Sequence, residues 1–389
     1  MTAIKDALSE TVDGLGNELE ALSHRIHANP ELGYQELKAS AWLSEFLQAK
    51  GLKVERGVAG VETAFRATLE TGEGPTIAIL CEYDALPGIG HACGHNIIAT
   101  SGAGAGAALA AVKDRLPKGR IQVVGTPAEE GGGGKIRLIQ GGVFNEVDCA
   151  IMIHGFDRHL LHQDLLGIVR VTFDFTGKAA HASADPWEGI NALDAVIQTF
   201  NAISMLRQQV RPDARIHGII TNGGSAPNII PEATSAVFYV RAASLDYMWE
   251  IYRRVVACAE GAARATGAEL RVTQGEMVYE PLKRNQTLLD LFKANLERLG
   301  VKEEEPIPDR LGSSDIGNVS QVIPAIQPLI KVAPTGTAIH SRAFAGAAVT
   351  PLARQGLLVA AKAMAMTTAD LLASPAVVRQ AKDEFATAR

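Results

Sequence analysis

The stretch IAILCEYDALPGIGHACGHNIIATSGAGAGAALAAVKDR, residues 77–115, decides how this chain is read. It opens on Ile77-Ala78-Ile79-Leu80, apolar without alternation, the pattern of a strand buried on both faces. It closes on the uncharged run 97–112, which is too short and too rich in Gly to cross a bilayer and therefore reads as a buried helix over 97–115. Between the two lies a turn dense in Glu, Asp, His and Cys. A buried strand feeding a polar loop and then a buried helix is one unit of an α/β layer.

Working outward, the same alternation recurs. Residues 121–126 and 150–154 read as buried strands. Upstream, Leu15, Leu19, Leu22 and Ile26 form the apolar face of an amphipathic helix stopped by Asn29-Pro30. A second helix runs through Trp42, Leu43, Phe46 and Leu47 to Gly51. From about Gly167 the pattern changes, because Val169, Val171, Phe173 and Phe175 alternate strictly, as in a half-exposed strand. A helix (189–209), two strands (216–221 and 235–241), a helix (247–266) and a strand (269–273) follow. That order is βαββαβ, the ferredoxin-like arrangement of a small separate domain. After Glu280-Pro281 a helix (288–299), a strand (326–332) and a long Ala-rich helix (350–366) return to the first pattern. The expected fold is α/β: a central mixed, largely parallel sheet flanked by helices (1–166 and 281–389), interrupted by a smaller ferredoxin-like domain (167–280).

Composition narrows the function. With 389 residues the chain has length for two or three domains and a sizeable core. Its 37 basic and 43 acidic side chains leave a net charge of -6, which argues against nucleic acid, since phosphate binding needs clustered Lys and Arg. The start, MTAIKDALSE, carries charges where a signal peptide needs an apolar stretch. Four cysteines, none spaced as CxxC, argue for a reducing compartment. A cytoplasmic protein with no membrane partner is expected.

Four places combine metal-binding side chains with strand ends or Gly-flanked turns. Cys93 and His95 stand two apart around Gly94, so both can converge on one ion. Glu129 and Glu130 are adjacent carboxylates before four glycines, an unfavourable pair unless a cation offsets their repulsion. His154 ends the strand 150–154, and His340 lies in a turn after Gly336. Two rival readings fail on spacing: a Walker A loop would need Gly at Glu129 and Ser or Thr at Ile136, and a nucleophile elbow around Ser314 would need Gly at Ile316. Cys81, Cys149 and Cys258 read as small core residues.

Taken together, EYDALPGIGHACGHN, PAEEGGGGK, GKAAHAS, NIIPE, GSSDIGN and the late His340 resemble the M20 family of metal-dependent amidohydrolases and peptidases. The similarity covers nearly the whole chain, with the motifs in the family's order. The Cys-Gly-His form resembles the aminoacylase branch, and CGHN with SSDIGN its aminobenzoyl-glutamate hydrolase and aminoacylase-1-like group. The resemblance implies two divalent ions, Zn2+ or Mn2+ with Co2+ as a further candidate. Cys93 would bridge them as thiolate, with His95 and Glu130 on one side or the other and His154 and His340 completing the set. Glu129 matches the general base and Asp84 the acid that orients a ligand histidine. The resemblance also makes 167–280 a lid and dimerisation domain. There His181 matches a histidine reaching into the other subunit's site of a homodimer, and Asn228 and Arg241 match the pair that holds a substrate's carbonyl region and its carboxylate. Two departures stand out: Asn96 where many relatives carry Asp, and Glu82 where other branches carry a ligand His.

The implied activity is hydrolysis of the amide bond of N-acyl or N-aroyl amino acids, or of small dipeptides, with a free carboxylate on the substrate. Hydrolysis or deamination of a small aromatic amide or amine, and a non-catalytic scaffold, are the alternatives.

Overall fold

A computed structural model describes residues 1–306 and 311–387. The chain divides into two compact units. The first holds 1–163 and the described residues after 281 apart from 311–313; the second holds 164–281 and 311–313.

The first unit begins with three helices, α1 (Thr2–Gly14), α2 (Gly16–His27) and α3 (Leu37–Ala49). Strands β1 (Lys53–Arg56) and β2 (Phe65–Glu70) follow, then β3 (Thr76–Cys81), helix α4 (His95–Ala111), β4 (Arg120–Gly125), helix α5 (Gly134–Gln140), β5 (Cys149–Ile151) and β6 (His154–Phe156). The second unit contributes β7 (Gly167–Thr176), α6 (Ala192–Leu206), β8 (Arg215–Asn222), β9 (Ala233–Ala242), α7 (Leu245–Thr266) and β10 (Glu269–Gln274). The chain then returns through α8 (Gln286–Arg298), α9 (Ile316–Val322), β11 (Ala325–Ile326), β12 (Leu329–Lys331), α10 (Arg342–Ala347), α11 (Pro351–Ala373) and α12 (Pro375–Thr387).

The central sheet has the order β1-β2-β4-β3-β5-β11. Its β4, β3, β5 and β11 run parallel, while β1 and β2 add an antiparallel edge. Every residue of β3 is buried, as the unbroken apolar run predicts. That edge was not in the expected set: β2 alternates Phe65, Ala67 and Leu69 inward with polar neighbours outward, a weaker signal than an apolar run.

The expected strands 150–154 and 326–332 each break in two. Pro328 has no N–H to give to a ladder, and the paired chains leave the main sheet there to form a separate two-stranded ribbon of β12 and β6. His154 opens the new ribbon, so this break sets its position.

Helix α4 is buried from His95 to Leu109. Its glycines permit this: a Cβ on Gly102 would lie 2.5 Å from Cys81 Sγ, and one on Gly106 2.4 Å from Val123 Cγ2. Helix α11 is long and apolar enough to cross a membrane, yet 72% of its apolar window is buried within the protein, where it packs on α4.

The second unit is an antiparallel sheet of order β10-β7-β9-β8 with α6 and α7 against it. Its core is the inward set Val169, Val171, Phe173 and Phe175 of β7, with Phe238 and Val240 of β9. This is the ferredoxin-like order expected from the alternation.

Candidate metal centre

Four loops at the carboxyl ends of the parallel strands and of the ribbon carry the predicted residues, the end of an open α/β sheet where ligands bind. The first loop follows β3 and ends in Cys93-Gly94-His95. Gly94 has φ 77° and is capped by the Phe344 ring, whose nearest carbon would stand 3.2 Å from a Cβ. A side chain at this position would be strained and crowded. His95 is the first residue of α4.

The second loop follows β4 and carries Glu129 and Glu130. Ala128 adopts φ 57°, sparsely populated for a residue with a side chain, and its N–H donates to the buried Glu36 Oε1 at 2.8 Å. At Gly134 a Cβ would collide with the Pro127 carbonyl, so the glycine run lets the chain double back behind the carboxylates. The remaining two residues are His154, at the start of β6, and His340, which has φ 59° and donates its N–H to Ala92 O at 2.8 Å. That bond ties the late histidine to the Cys93 loop.

The side chains converge. Cys93 Sγ lies 3.4 Å from His154 Nε2, and His340 Nε2 lies 3.3 Å from Glu130 Oε1. His95 Nδ1 contacts Asp84 Oδ1 at 3.1 Å and the Asp84 carbonyl at 2.8 Å. Its Nε2 is thereby aimed at Glu82 Oε2 (3.6 Å), Glu129 Oε2 (3.9 Å) and Glu130 Oε1 (4.0 Å). Asp84 also accepts the Glu130 N–H at 2.9 Å. Ligand atoms around a tetrahedral ion with bonds of 2.0–2.3 Å stand about 3.3–3.8 Å apart, the spacing of the two closest pairs here. Two groups of potential ligands share one sulfur: Cys93 with His95 and His154, and Cys93 with Glu130 and His340.

The electrostatics call for a cation. Burial, then the Glu130 carboxylate, pushes the Cys93 thiol well above its usual range, so a thiolate here needs a positive ion beside it. Burial and the charges of Glu130 and Glu82 likewise raise Glu129. Burial would raise Glu130 too, but its contact with His340 and the charge of His95 bring it below its ordinary value. Burial opposes a proton on His95, yet Asp84 and Cys93 outweigh it and raise the imidazole. His95 Nε2 and Glu130 Oε1 are buried without a hydrogen-bond partner among the described residues. The donor set of one sulfur, imidazole nitrogens and carboxylates fits divalent metal.

The family model for peptidase family M20/M25/M40 matches residues 74–343. The chain belongs to this family. It is 38% identical to the Xaa-Arg dipeptidase of Mus musculus over 98% of this chain and 92% of that protein. It is 28% identical to one of the subunits of the p-aminobenzoyl-glutamate hydrolase of Escherichia coli, over 93% of this chain and 91% of that protein. Among solved structures, a dinuclear metal-binding M20 peptidase from Bacillus subtilis shares the fold with a TM-score of 0.73, at 21% identity and covering 93% of this chain and 99% of the other. This M20 protein is a metal-dependent hydrolase acting on the carbon–nitrogen bond of amides.

The three residues expected in the smaller domain separate into two places. His181 is exposed and bridges to Ile229, and the Ala182 N–H donates to the Asn228 carbonyl, so His181 and Asn228 sit side by side. The amides of Ser183 and Ala184 donate to His181 Nδ1 at 3.3 and 3.2 Å. Those bonds leave the proton of the neutral ring on Nε2, which makes that nitrogen a donor. Arg241 lies near the other end of β9, paired with Ile168 of β7 and Arg215 of β8. Its Nη1 is 3.4 Å from Ser313 Oγ, and its Nε is buried without an acceptor among the described residues. Asn228 precedes the ten-residue β9 and Arg241 lies near its far end, so within one chain the two stand apart.

Sequence reading missed three side chains that the fold brings to the centre: Glu36, Lys135 and Asp315, all buried. The signal for Lys135 and Asp315 was present, since each is a charge inside a buried motif, PAEEGGGGK and GSSDIGN.

Proposed function

We propose that this M20 hydrolase cleaves dipeptides and N-acyl or N-aroyl amino acids bearing a free carboxylate, using two divalent ions, zinc or manganese with cobalt as a third candidate. The observation that carries the reading is the double membership of Cys93, whose sulfur belongs to two ligand groups at once. One ion would be held by Cys93, His95 and His154, the other by Cys93, Glu130 and His340. When bound, such ions supply Lewis acidity that brings the pKa of water from about 15.7 toward about 7. Asp84 holds His95 in register through Nδ1. Glu129 takes the proton of the attacking water and passes it to the leaving amine, while Glu130 stays committed to the metal.

Arg241 supplies a guanidinium, its Nε without an acceptor among the described residues, for the substrate's carboxylate. Relatives at 36–38% identity include Xaa-Arg dipeptidases, which favours dipeptides with C-terminal arginine as first substrates. Eight residues of β9 separate Ala233 from Arg241, about 26 Å at 3.3 Å per residue, whereas a dipeptide spans about 7 Å. A single substrate therefore cannot meet both Arg241 and the His181–Asn228 pair of the same chain. This supports a homodimer in which His181 and Asn228 serve the partner's site, with His181 Nε2–H steadying the oxyanion. The edge strand β8 carries exposed Ile219 and Ile220, and α6 exposes Met205, apolar surface suited to a second copy.

The test is a hydrolysis screen of Xaa-Arg dipeptides, aminobenzoyl-glutamate and N-acetyl amino acids, each beside its carboxyl-amidated counterpart. The protein would be stripped by chelator and reloaded with Zn2+, Mn2+ or Co2+. Cleavage of the free acids only, lost on chelation and restored by metal, is expected. Full activity in protein shown metal-free by elemental analysis, or equal turnover of the amidated series, would overturn the reading.

A further inference from the structure

Lys135, the second residue of α5, is wholly buried. Its Nζ lies 2.5 Å from Glu82 Oε1 and 2.6 Å from Asp315 Oδ1, and its own N–H donates to Asp315 Oδ2 at 2.9 Å. Both partners are fully buried as well. The second oxygen of Glu82, Oε2, has no hydrogen-bond partner among the described residues and faces His95 Nε2. Glu82, Glu129 and Asp315 bring one oxygen each within 4.8 Å of the others, a cluster compact enough for a metal ion. Burial opposes the ammonium charge, but Asp315, Glu82 and Glu129 outweigh it and hold the lysine above its usual range.

Three carboxylates in a dry interior demand a counter-charge, and they adjoin a centre built to attract divalent ions. A covalently attached ammonium cannot exchange with ions in solution. It also occupies Glu82 Oε1 and Asp315 Oδ1, which would otherwise compete with Cys93, His95 and Glu130 for metal. We propose that Lys135 is a tethered cation standing in place of a metal ion among Glu82, Glu129 and Asp315, and that it confines divalent metal to the Cys93 centre. The inference rests on the metal-dependent reading above and makes Lys135 a positioning residue.

The test counts metal. Wild type, Lys135→Met and the triple variant Glu82→Gln/Lys135→Met/Asp315→Asn are dialysed against Mn2+ alone, and bound metal per chain is measured by elemental analysis beside thermal melts with and without Mn2+. Lys135→Met should hold one more ion per chain than wild type and gain more melting temperature from Mn2+. The triple variant, with two carboxylates neutralised, should return to the wild-type count. If Lys135→Met folds only when Mn2+ is supplied, the ion has replaced the ammonium and the proposal stands. It is overturned if Lys135→Met binds no additional ion and melts with the wild-type response to Mn2+. It is equally overturned if neither Mn2+ nor the two neutralising substitutions recovers a folded protein. A wild type that binds no Mn2+ would remove manganese from the candidate ions of the Cys93 centre, while the difference between variant and wild type still decides the role of Lys135.

Discussion

Glu129 and Glu130 are chain neighbours in opposite surroundings. Glu130 has His340 against it and Asp84 on its N–H, whereas Glu129 is raised by burial and by the carboxylates around it. A raised carboxylate is the better proton acceptor near neutrality. Glu129→Gln should therefore abolish turnover while metal content stays at the wild-type level, since the amide keeps the shape but takes no proton. Loss of metal together with activity, read by elemental analysis, would assign the ligand role to Glu129 instead.

Behind the same turn, burial pushes the Glu36 carboxyl up to about 7, with Asp84 adding to the effect. The unfolded chain releases that proton near 4.5, so folding of the metal-free protein retains a proton that the unfolded state has lost. Stability then falls as pH rises from about 4.5 to 7 and stays reduced above, by a term on the order of 3 kcal/mol. Glu36→Gln can still accept the Ala128 N–H and carries no such proton. The stability of this variant relative to wild type should grow between about pH 5 and 8 in chemical denaturation, and a flat difference would refute the shift.

At the scale of elements, α4 is where packing overrides propensity. Its alternating glycines, Gly102, Gly104 and Gly106, are costly to a helix in isolation, at up to about 1 kcal/mol each against Ala. Gly102 and Gly106 let its backbone approach β3 and β4 closely, and Gly104 lets it approach Leu19 of α2 and Ala361 of α11. Gly106→Ala recovers that propensity but puts a methyl 2.4 Å from Val123 Cγ2, a β-branched side chain with little freedom to move. Overpacking of about 1–3 kcal/mol should prevail, lowering the melting temperature by a few degrees. An unchanged or raised melting temperature would show that the strand yields. Propensity and pattern also explain which elements were legible. The unbroken apolar run of β3 and the strict alternation of β7 were read directly. The short, half-polar β1 was not, because a four-residue strand carries too few alternations to stand out.

For the molecule as a whole, the separation of His181 and Asn228 from Arg241 is the ground for proposing a homodimer. If His181 completes the partner's site, two individually inactive chains can complement each other. Mixing Glu129→Gln with His181→Ala under subunit exchange makes about half the dimers mixed, each with one site holding both wild-type groups. Recovery of up to about a quarter of wild-type activity per site is expected. No recovery despite exchange verified by mass spectrometry, or full activity in a strictly monomeric protein, would rule out action in trans.

The chain alone determined the α/β class and the inserted ferredoxin-like sheet, and it marked the candidate metal-binding side chains. Each of these is a local property: periodicity marks elements, and soft or charged side chains beside glycine turns mark candidate ligands. Tertiary structure decided what depends on distant segments. It split the strand before His154 because Pro328 interrupts the neighbouring strand, and it set Glu36 beneath Ala128 across 92 residues of chain. It also paired Lys135 with Glu82 and Asp315, 53 and 180 positions away. A buried charge announces in sequence only that it needs a partner; which one it finds is settled by the order of strands in the sheet.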